Sequence, residues 1–301
     1  MFEQLNSGLR FIIIEYEKHL NTKIYIYIMK ETIFFLEGRG GAYPYHFFMY
    51  NLSGLYYISK KIYDHKRSGS LLFNDNPRRI VSSPTTQITF PIKIHMKDIL
   101  PFQREAFDII KDKFELIEDL SKHNDYEIVS IYGAPAEISD NNDGIEVFPF
   151  IRSIFTQNMN FNMKTGKRIF ITRRNSESQH QGVLKRCIMN EGLLMNMLQK
   201  YNFEYIQLEN FTTFEKIKLF MESEVIVSSN SGALSFLLFA DKNAKIVEII
   251  KNGEGLGNNH YLTICKHLNL NYNRYSNINE DRLGNFNLNV EEFEKYLISL
   301  I

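Results

Sequence analysis

Residues 225–239 read VIVSSNSGALSFLLF: three apolar residues, four small polar ones, then a second apolar run. Ser, Asn and Gly are ordinary turn residues, so a plain turn is one reading. The other is a strand whose loop opens onto a helix N-terminus. Backbone N–H groups and the helix dipole there offer a seat for phosphate. The flanking sequence bears on the choice.

Around this stretch the pattern alternates. RIFIT (168–172) predicts a strand, and 190–201 predicts a helix with Leu193, Leu194, Met197 and Leu198 at helical spacing. Residues 203–208 alternate as a second strand. Residues 213–221 repeat an apolar face at Phe214, Ile217 and Phe220, with Thr212 or Thr213 as N-cap. A third strand over 224–228, a short apolar helix over 232–240, a fourth strand over 245–250 and a helix over 260–268 follow. Residues 290–301 predict a closing helix. Strand and helix in strict turn imply a parallel sheet covered on both faces, a doubly wound α/β unit.

The N-terminal half is less regular. Strands are predicted over 23–29 and 32–36, joined by a tight turn. A long helix is predicted over 43–62, approached through Gly38-Arg39-Gly40-Gly41. Residues 99–120 read as one amphipathic helix, 126–131 as a strand, and 146–155 as a strand running into a helix. The polar stretch 157–167 reads as a linker. The expected organisation is an α/β domain over 1–157, a second over 158–285, and a closing helix over 286–301.

A chain of 301 residues with 44% hydrophobic content suits one large or two medium domains. Its net charge of +0 provides no global pull toward nucleic acid or anionic membrane, so no nucleic-acid partner is expected. The two cysteines, Cys187 and Cys265, lack metal-ligand spacing and argue for a reducing compartment, without disulfide framework or zinc site. No segment approaches the roughly 20 apolar residues of a membrane span. The run Phe11-Ile12-Ile13-Ile14 is followed by Glu15 and Glu17 and makes a poor signal peptide. A cytoplasmic location is expected, and a homodimer is left open. The wealth of Asn, Ile, Lys, Tyr and Phe reads as AT-rich coding, as in a low-GC bacterium or a large DNA virus.

In open parallel sheets ligands bind beyond the carboxyl ends of the strands. Three such loops are expected, over 172–186, 228–231 and 251–259. The first gathers Arg173, Arg174, Lys185 and Arg186 around NSESQHQG. This is either a solvated surface or a set of forked, permanently charged donors for a diphosphate. The third, KNGEGLGNN, holds Gly253, Gly255 and Gly257, one residue short of G-x-G-x-x-G and late in the domain. It reads as a lid or phosphate nest, with a nicotinamide dehydrogenase the weaker alternative. Glu248, near a strand end, either grips a ribose diol or is half-exposed. No P-loop, H-E-x-x-H or G-x-S-x-G motif occurs. A clean Asp-x-Asp for a metal-dependent sugar transferase is absent too, and Asp140-Asn-Asn-Asp143-Gly reads as a turn.

The segment 168–248 resembles the family 61 glycosyltransferases. IFITRR, then Arg186-Cys-Ile-Met-Asn190-Glu191, MESEVIVSSNSGALSFLLF and IVEII occur in the order of that family's signature. HYLTICKHLNLNY resembles its closing helix, and GGAYPYHFFMYNLSGLYYI the helix bearing its His-Phe pair, here His46-Phe47. The resemblance implies a GT-B architecture, two facing Rossmann-like domains with the nucleotide sugar held mainly by the second. It also implies inversion at the anomeric carbon without an obligatory metal or other cofactor. Arg173, Arg174, Arg186, Asn190, Ser229, Asn230, Ser231, Gly232, Ala233 and Glu248 are the candidate donor-site residues. Where the family places His in G-x-H-G-A this chain has Asn230, and the flanking glycines become Ser228 and Ser231. An amide donates a hydrogen bond but does not titrate near neutrality.

The acidic residue expected shortly after His-Phe falls at Tyr50. The base that deprotonates the acceptor is therefore sought first at His46, equally readable as a core histidine, then at Asp75, and last at Asp64 and His65. The expected function is transfer of xylose or N-acetylglucosamine from a UDP-sugar to a hydroxyl of a glycan or glycoprotein. The rivals are a catalytically inactive nucleotide- or sugar-binding relative and an unrelated nicotinamide-dependent enzyme.

Overall fold

In a computed structural model of the chain, the described residues are 11–14, 25–28, 31–37, 46–68, 90–123, 126–132, 144–157, 159, 166–174, 185–251 and 259–301. Strands β1 (Phe11–Ile14) and β2 (Tyr25–Ile28) form an antiparallel pair. Strand β3 (Glu31–Glu37) belongs to a different sheet. It lies parallel between β4 (Ile92–His95) and β6 (Tyr126–Tyr132), and β5 (Phe114–Leu116) pairs parallel with β4. The strands expected at 23–29 and 32–36 are thus present but unpaired with each other. The four-stranded order β5-β4-β3-β6 is that of half a dinucleotide-binding sheet.

Helix α1 (Leu52–Ser68) is preceded by a π-helical turn, Phe47–Asn51, which starts directly after His46. Helix α2 (Pro101–Ile110) opens on Pro101, where the missing N–H is no loss. The Gln103 side chain accepts from the Leu100 N–H at 2.7 Å. The single helix expected over 99–120 therefore stops at Ile110. A turn at Lys111–Lys113, without Gly or Pro to announce it, leads straight into β5. Helix α3 (Gly144–Thr156) is helical throughout, where a strand had been expected to lead in; Pro149 lies inside it and withdraws one backbone donor.

The second sheet holds β7 (Lys167–Ile171), β8 (Phe203–Ile206), β9 (Ser223–Ser229), β10 (Lys245–Ile249) and β11 (Asn271–Tyr275). All neighbours are parallel, in the order β11-β10-β9-β7-β8. Between them run α4 (Glu191–Gln199), α5 (Thr213–Glu222), a 3-10 helix (Gly232–Phe239) and α6 (His260–His267), and α7 (Val290–Ile298) follows β11. Thr212 caps α5: its hydroxyl accepts from the Glu215 N–H at 3.3 Å, and the Glu215 carboxylate accepts from the Thr212 N–H at 2.8 Å.

Side chains alternate across the strands, which sorts the core into two layers. Ile169, Ile171, Ile226 and Ile246 join α5, the 3-10 helix and α6. Phe170, Val225, Val227, Val247 and Ile249 pack with Leu194, Met197 and Leu198 of α4 and Phe293 and Leu297 of α7. The sheet is covered on both faces, as the alternation predicts. The first layer continues into the N-terminal sheet through Phe48, whose ring lies 4.9 Å from Phe236, 5.8 Å from Phe239 and 6.0 Å from Phe155. Polar bonds reinforce the junction: Thr213 N–H donates to Glu105 Oε2 at 2.7 Å, and Arg152 Nη1 to the Ala240 carbonyl at 2.8 Å. Among the described residues no helix is long and apolar enough to cross a membrane. Phe48→Ala removes the centre of this aromatic group and should destabilise the chain by about 3–5 kcal/mol, with both sheets losing protection together in denaturant-dependent hydrogen exchange.

Candidate functional site

The chain runs from β7 outward to β8 and then returns across β7 to form β9 on its other side. Loops leaving β7 and β9 therefore diverge, and such a crossover opens a crevice at the carboxyl ends of the strands. Register places Ile171 beside Ser228, so Thr172–Arg173 and Ser229–Asn230 emerge next to each other. Arg173 is only 7% exposed. Its Nε donates to the Lys185 carbonyl at 3.0 Å and its Nη1 to the Asn230 carbonyl at 3.2 Å. Arg186 Nη1 donates to Asn230 Oδ1 at 3.1 Å. Two guanidinium groups thus meet on one asparagine. Burial, and secondarily the charge of Arg186, lower the Arg173 pKa to about 10, which leaves it cationic at neutral pH.

The small polar run of the turn has distinct tasks. Ser228 Oγ donates to the Ile171 carbonyl at 3.1 Å and stitches β9 to β7. Ser229 Oγ donates to the Arg186 carbonyl at 3.4 Å. Ser231 Oγ accepts from the Ala233 N–H at 3.2 Å and so caps the 3-10 helix, which means that amide is already engaged. Gly232 opens that helix, and among the described residues a Cβ built there meets no atom within 4 Å apart from its own helix and chain neighbours. Among the described residues neither packing nor a positive φ demands glycine at this point.

Other candidates face elsewhere. Arg174 is exposed, and its Nη2 donates to the Met189 carbonyl at 3.3 Å. Asn190 pairs twice with Leu288, donating to its carbonyl at 2.8 Å and accepting from its N–H at 2.9 Å. Glu248, expected to be half-exposed or on a ribose, is fully buried. Asn230 Nδ2 donates to its Oε1 at 2.7 Å and the Tyr272 hydroxyl to its Oε2. Its carboxylate serves Asn230 rather than an open face. His46 is half-buried at the head of the π-turn. Asp64 and His65 fall in α1. Asp75, the GEGLG loop, the NSESQHQG insert, the Asp140–Asp143 turn and most of the expected linker lie outside the described residues. Among the described residues no three His, Cys, Asp or Glu side chains converge in a way that could hold a metal ion.

Tyr272, Arg274 and Glu191, the last quoted only as part of the Arg186–Glu191 motif, were given no site role by the sequence reading. Tyr272 and Arg274 sit on β11, whose sequence NYNRY is too polar to read as a strand. Glu191 is the first residue of α4 and accepts from Thr172 Oγ1 at 2.8 Å and Tyr205 Oη at 3.2 Å, which anchors the start of the arginine loop. Gly284 was a further omission, although Gly-Asn is a turn signal. Residues 281–288 brace the loop carrying Arg186: its N–H donates to the Leu283 carbonyl at 3.0 Å, and the Cys187 N–H to Asn285 Oδ1 at 3.0 Å. Arg186 adopts φ +56° and Gly284 φ +78°.

The fold and its crossover define a doubly wound α/β protein whose polar residues gather above the second sheet. A scan against known protein families matches residues 44–247 to Glycosyltransferase 61. That span exceeds half of the 301 residues, and the chain belongs to this glycosyltransferase family. Its activity class is therefore sugar transfer from a donor to an acceptor. The matched span includes His46, Arg173, Arg174, Arg186 and the Ser229–Ala233 turn, and ends one residue before Glu248. A search of curated proteins finds no match.

A Cβ at Gly284 would lie 2.8 Å from Arg186 Cγ, and the positive φ strains any other residue. Gly284→Ala should cost roughly 1–3 kcal/mol in chemical denaturation. In an Arg186→Gly background the clash disappears, so the cost should shrink to the φ strain alone.

Proposed function

We propose that the chain transfers a sugar, xylose or N-acetylglucosamine, from a UDP-sugar to a hydroxyl of a glycan or glycoprotein acceptor, inverting the anomeric carbon without an obligatory metal. The observation that carries this reading is the meeting of Arg173 and Arg186 on Asn230 beside the bare face of Gly232. Two like charges held side by side raise each other's free energy until a polyanion arrives. The family assignment and the two Rossmann-like strand orders support a GT-B arrangement, with the donor on the second sheet.

The chemistry follows from charge. The acceptor oxygen attacks the anomeric carbon from the face opposite UDP, and the bond to the diphosphate oxygen breaks with its electron pair. The acceptor proton passes to a base, and the products are the glycoside, UDP and that proton. Negative charge grows on the diphosphate as it leaves. Preorganised cations and dipoles stabilise it there without reorganising at the moment of reaction. Arg173 suits this role because its guanidinium is already fixed by two carbonyls. His46 is the first candidate base and Asp75 the second.

One observation favours a second reading, a binding protein without turnover. Asn230 stands where the resemblance places His, and its amide is held between Glu248 and Arg186 with no proton to exchange near neutrality. Nothing in the family match favours a nicotinamide enzyme.

Calorimetric titration with UDP in the presence of EDTA should show binding, and none by the intact chain would overturn the proposal. Arg186→Ala should weaken UDP by about 10- to 100-fold, as loss of a charged hydrogen bond implies. His46→Ala should lower kcat by about 10²- to 10⁴-fold with UDP affinity kept. UDP binding without turnover on any acceptor would select the second reading.

A further inference from the structure

Glu248 lies on the face of β10 that carries Ile246, opposite Val247 and Ile249, and so points into the layer shared by the 3-10 helix and α6. Its two oxygens accept from Asn230 Nδ2 and from the Tyr272 hydroxyl. Arg274 Nε donates to that hydroxyl at 3.3 Å. On the other side, Asn230 Oδ1 accepts from Arg186 Nη1. One line of hydrogen bonds thus runs from β11 through Glu248 and Asn230 to the guanidinium over the crossover.

An amide has two unlike ends. A carboxylate, which only accepts, holds the NH2 end of Asn230 inward and therefore its oxygen outward. Turned over, the amide would set a donor against the guanidinium donors and release Arg186. We propose that Glu248 is a positioning residue for the diphosphate of the donor, acting through the Asn230 amide to fix the Arg186 guanidinium. This rests on the reading above that Arg186 meets the diphosphate.

The arrangement carries its own proton signature. Burial raises the Glu248 carboxyl, against the lowering effect of the Tyr272 and Asn230 hydrogen bonds and the Arg274 charge. The groups around it are Tyr272 and Arg274 from β11, Cys265 from α6, and Asn230 from the turn, with Arg186 beyond. The Cys265 thiol is itself pushed up by burial, so it is neutral near pH 7. A proton gained by Glu248 needs an acceptor. Of its two described hydrogen-bond partners, Tyr272 Oη already accepts from Arg274, and Asn230 offers Oδ1 once its amide turns.

The folded-state value lies above the unfolded one, so the stability contributed by the protonated form is complete below the ordinary glutamate value. It is lost as pH rises through the raised value. Within that window, acidification makes this site more stable while donor affinity falls. The two trends have opposite signs, and a merely structural glutamate would show only the first.

The test uses the full chain with Glu248→Ala and Glu248→Gln. UDP affinity is measured by calorimetry from neutral pH downward, beside the side-chain amide signal of Asn230 in nitrogen-15 NMR. Glu248→Ala should weaken UDP about tenfold. Glu248→Gln, which sets an NH2 donor where the protonated carboxyl would set its O–H, should weaken UDP much as acidification does and remove any further weakening on acidification. The Asn230 signal should move with pH in the unmodified chain and stay fixed in Glu248→Gln. Equal UDP affinity in a folded Glu248→Ala, or the same pH curve for Glu248→Gln and the unmodified chain, overturns the proposal. If Glu248→Ala does not fold, the Gln comparison decides. If the unmodified chain binds no UDP, the donor reading fails by itself and the Asn230 signal decides: a pH-independent signal overturns the coupling.

Discussion

A guanidinium enclosed at the end of a parallel strand is costly unless its donors are met. Arg173 meets this demand with peptide carbonyls, those of Lys185 and Asn230, which come from two separate loops. Those loops start side by side because β7 and β9 are neighbours in register, Ile171 beside Ser228. The buried charge and this pairing therefore require one another: without the carbonyls the arginine would be expelled to solvent. Arg186, Ser229 and the start of the 3-10 helix take their places around that fixed point.

The support extends far along the chain. The loop carrying Arg186 and Asn190 is tied to residues 281–288 by backbone bonds, by Asn285 and by the double pairing of Asn190 with Leu288. Phe286 and Leu288 then pack in the same layer as Ile188 and Phe293. Thus residues nearly a hundred positions away set the angle at which Arg186 leaves the sheet. Asn190, which the family signature brings forward as a donor-site residue, works from behind the site as a clasp.

The second sheet was largely legible because its strands are apolar runs bounded by small polar residues, and its helices repeat apolar positions at helical spacing. Of the two threonines read as N-cap candidates, Thr212 is the cap, and its reciprocal bond with Glu215 was not read from the sequence. β11 was missed for a physical reason: an edge strand with one neighbour tolerates the polar alternation of NYNRY. β4 and β5 are only a few residues long, and the turn after α2 uses Lys and Asp instead of Gly or Pro. Among candidate site residues, the convergence of Arg173 and Arg186 on the turn fits the sequence expectation that these loops lie together. The inward orientation of Glu248 was not legible, because a carboxylate near a strand end looks the same in sequence whether it faces a ligand or a neighbour. Only the register with Ser228 and Arg274 and the arrival of Tyr272 distinguish the two.

The 3-10 helix that begins at Gly232 ends in the aromatic group joining the two sheets. Phe236 and Phe239 touch Phe48, which follows His46 by two residues. The turn at the crossover and the segment bearing the histidine are thus joined through one aromatic contact, the ring of Phe48. Substituting that ring therefore disturbs the packing behind the turn and behind the histidine at once.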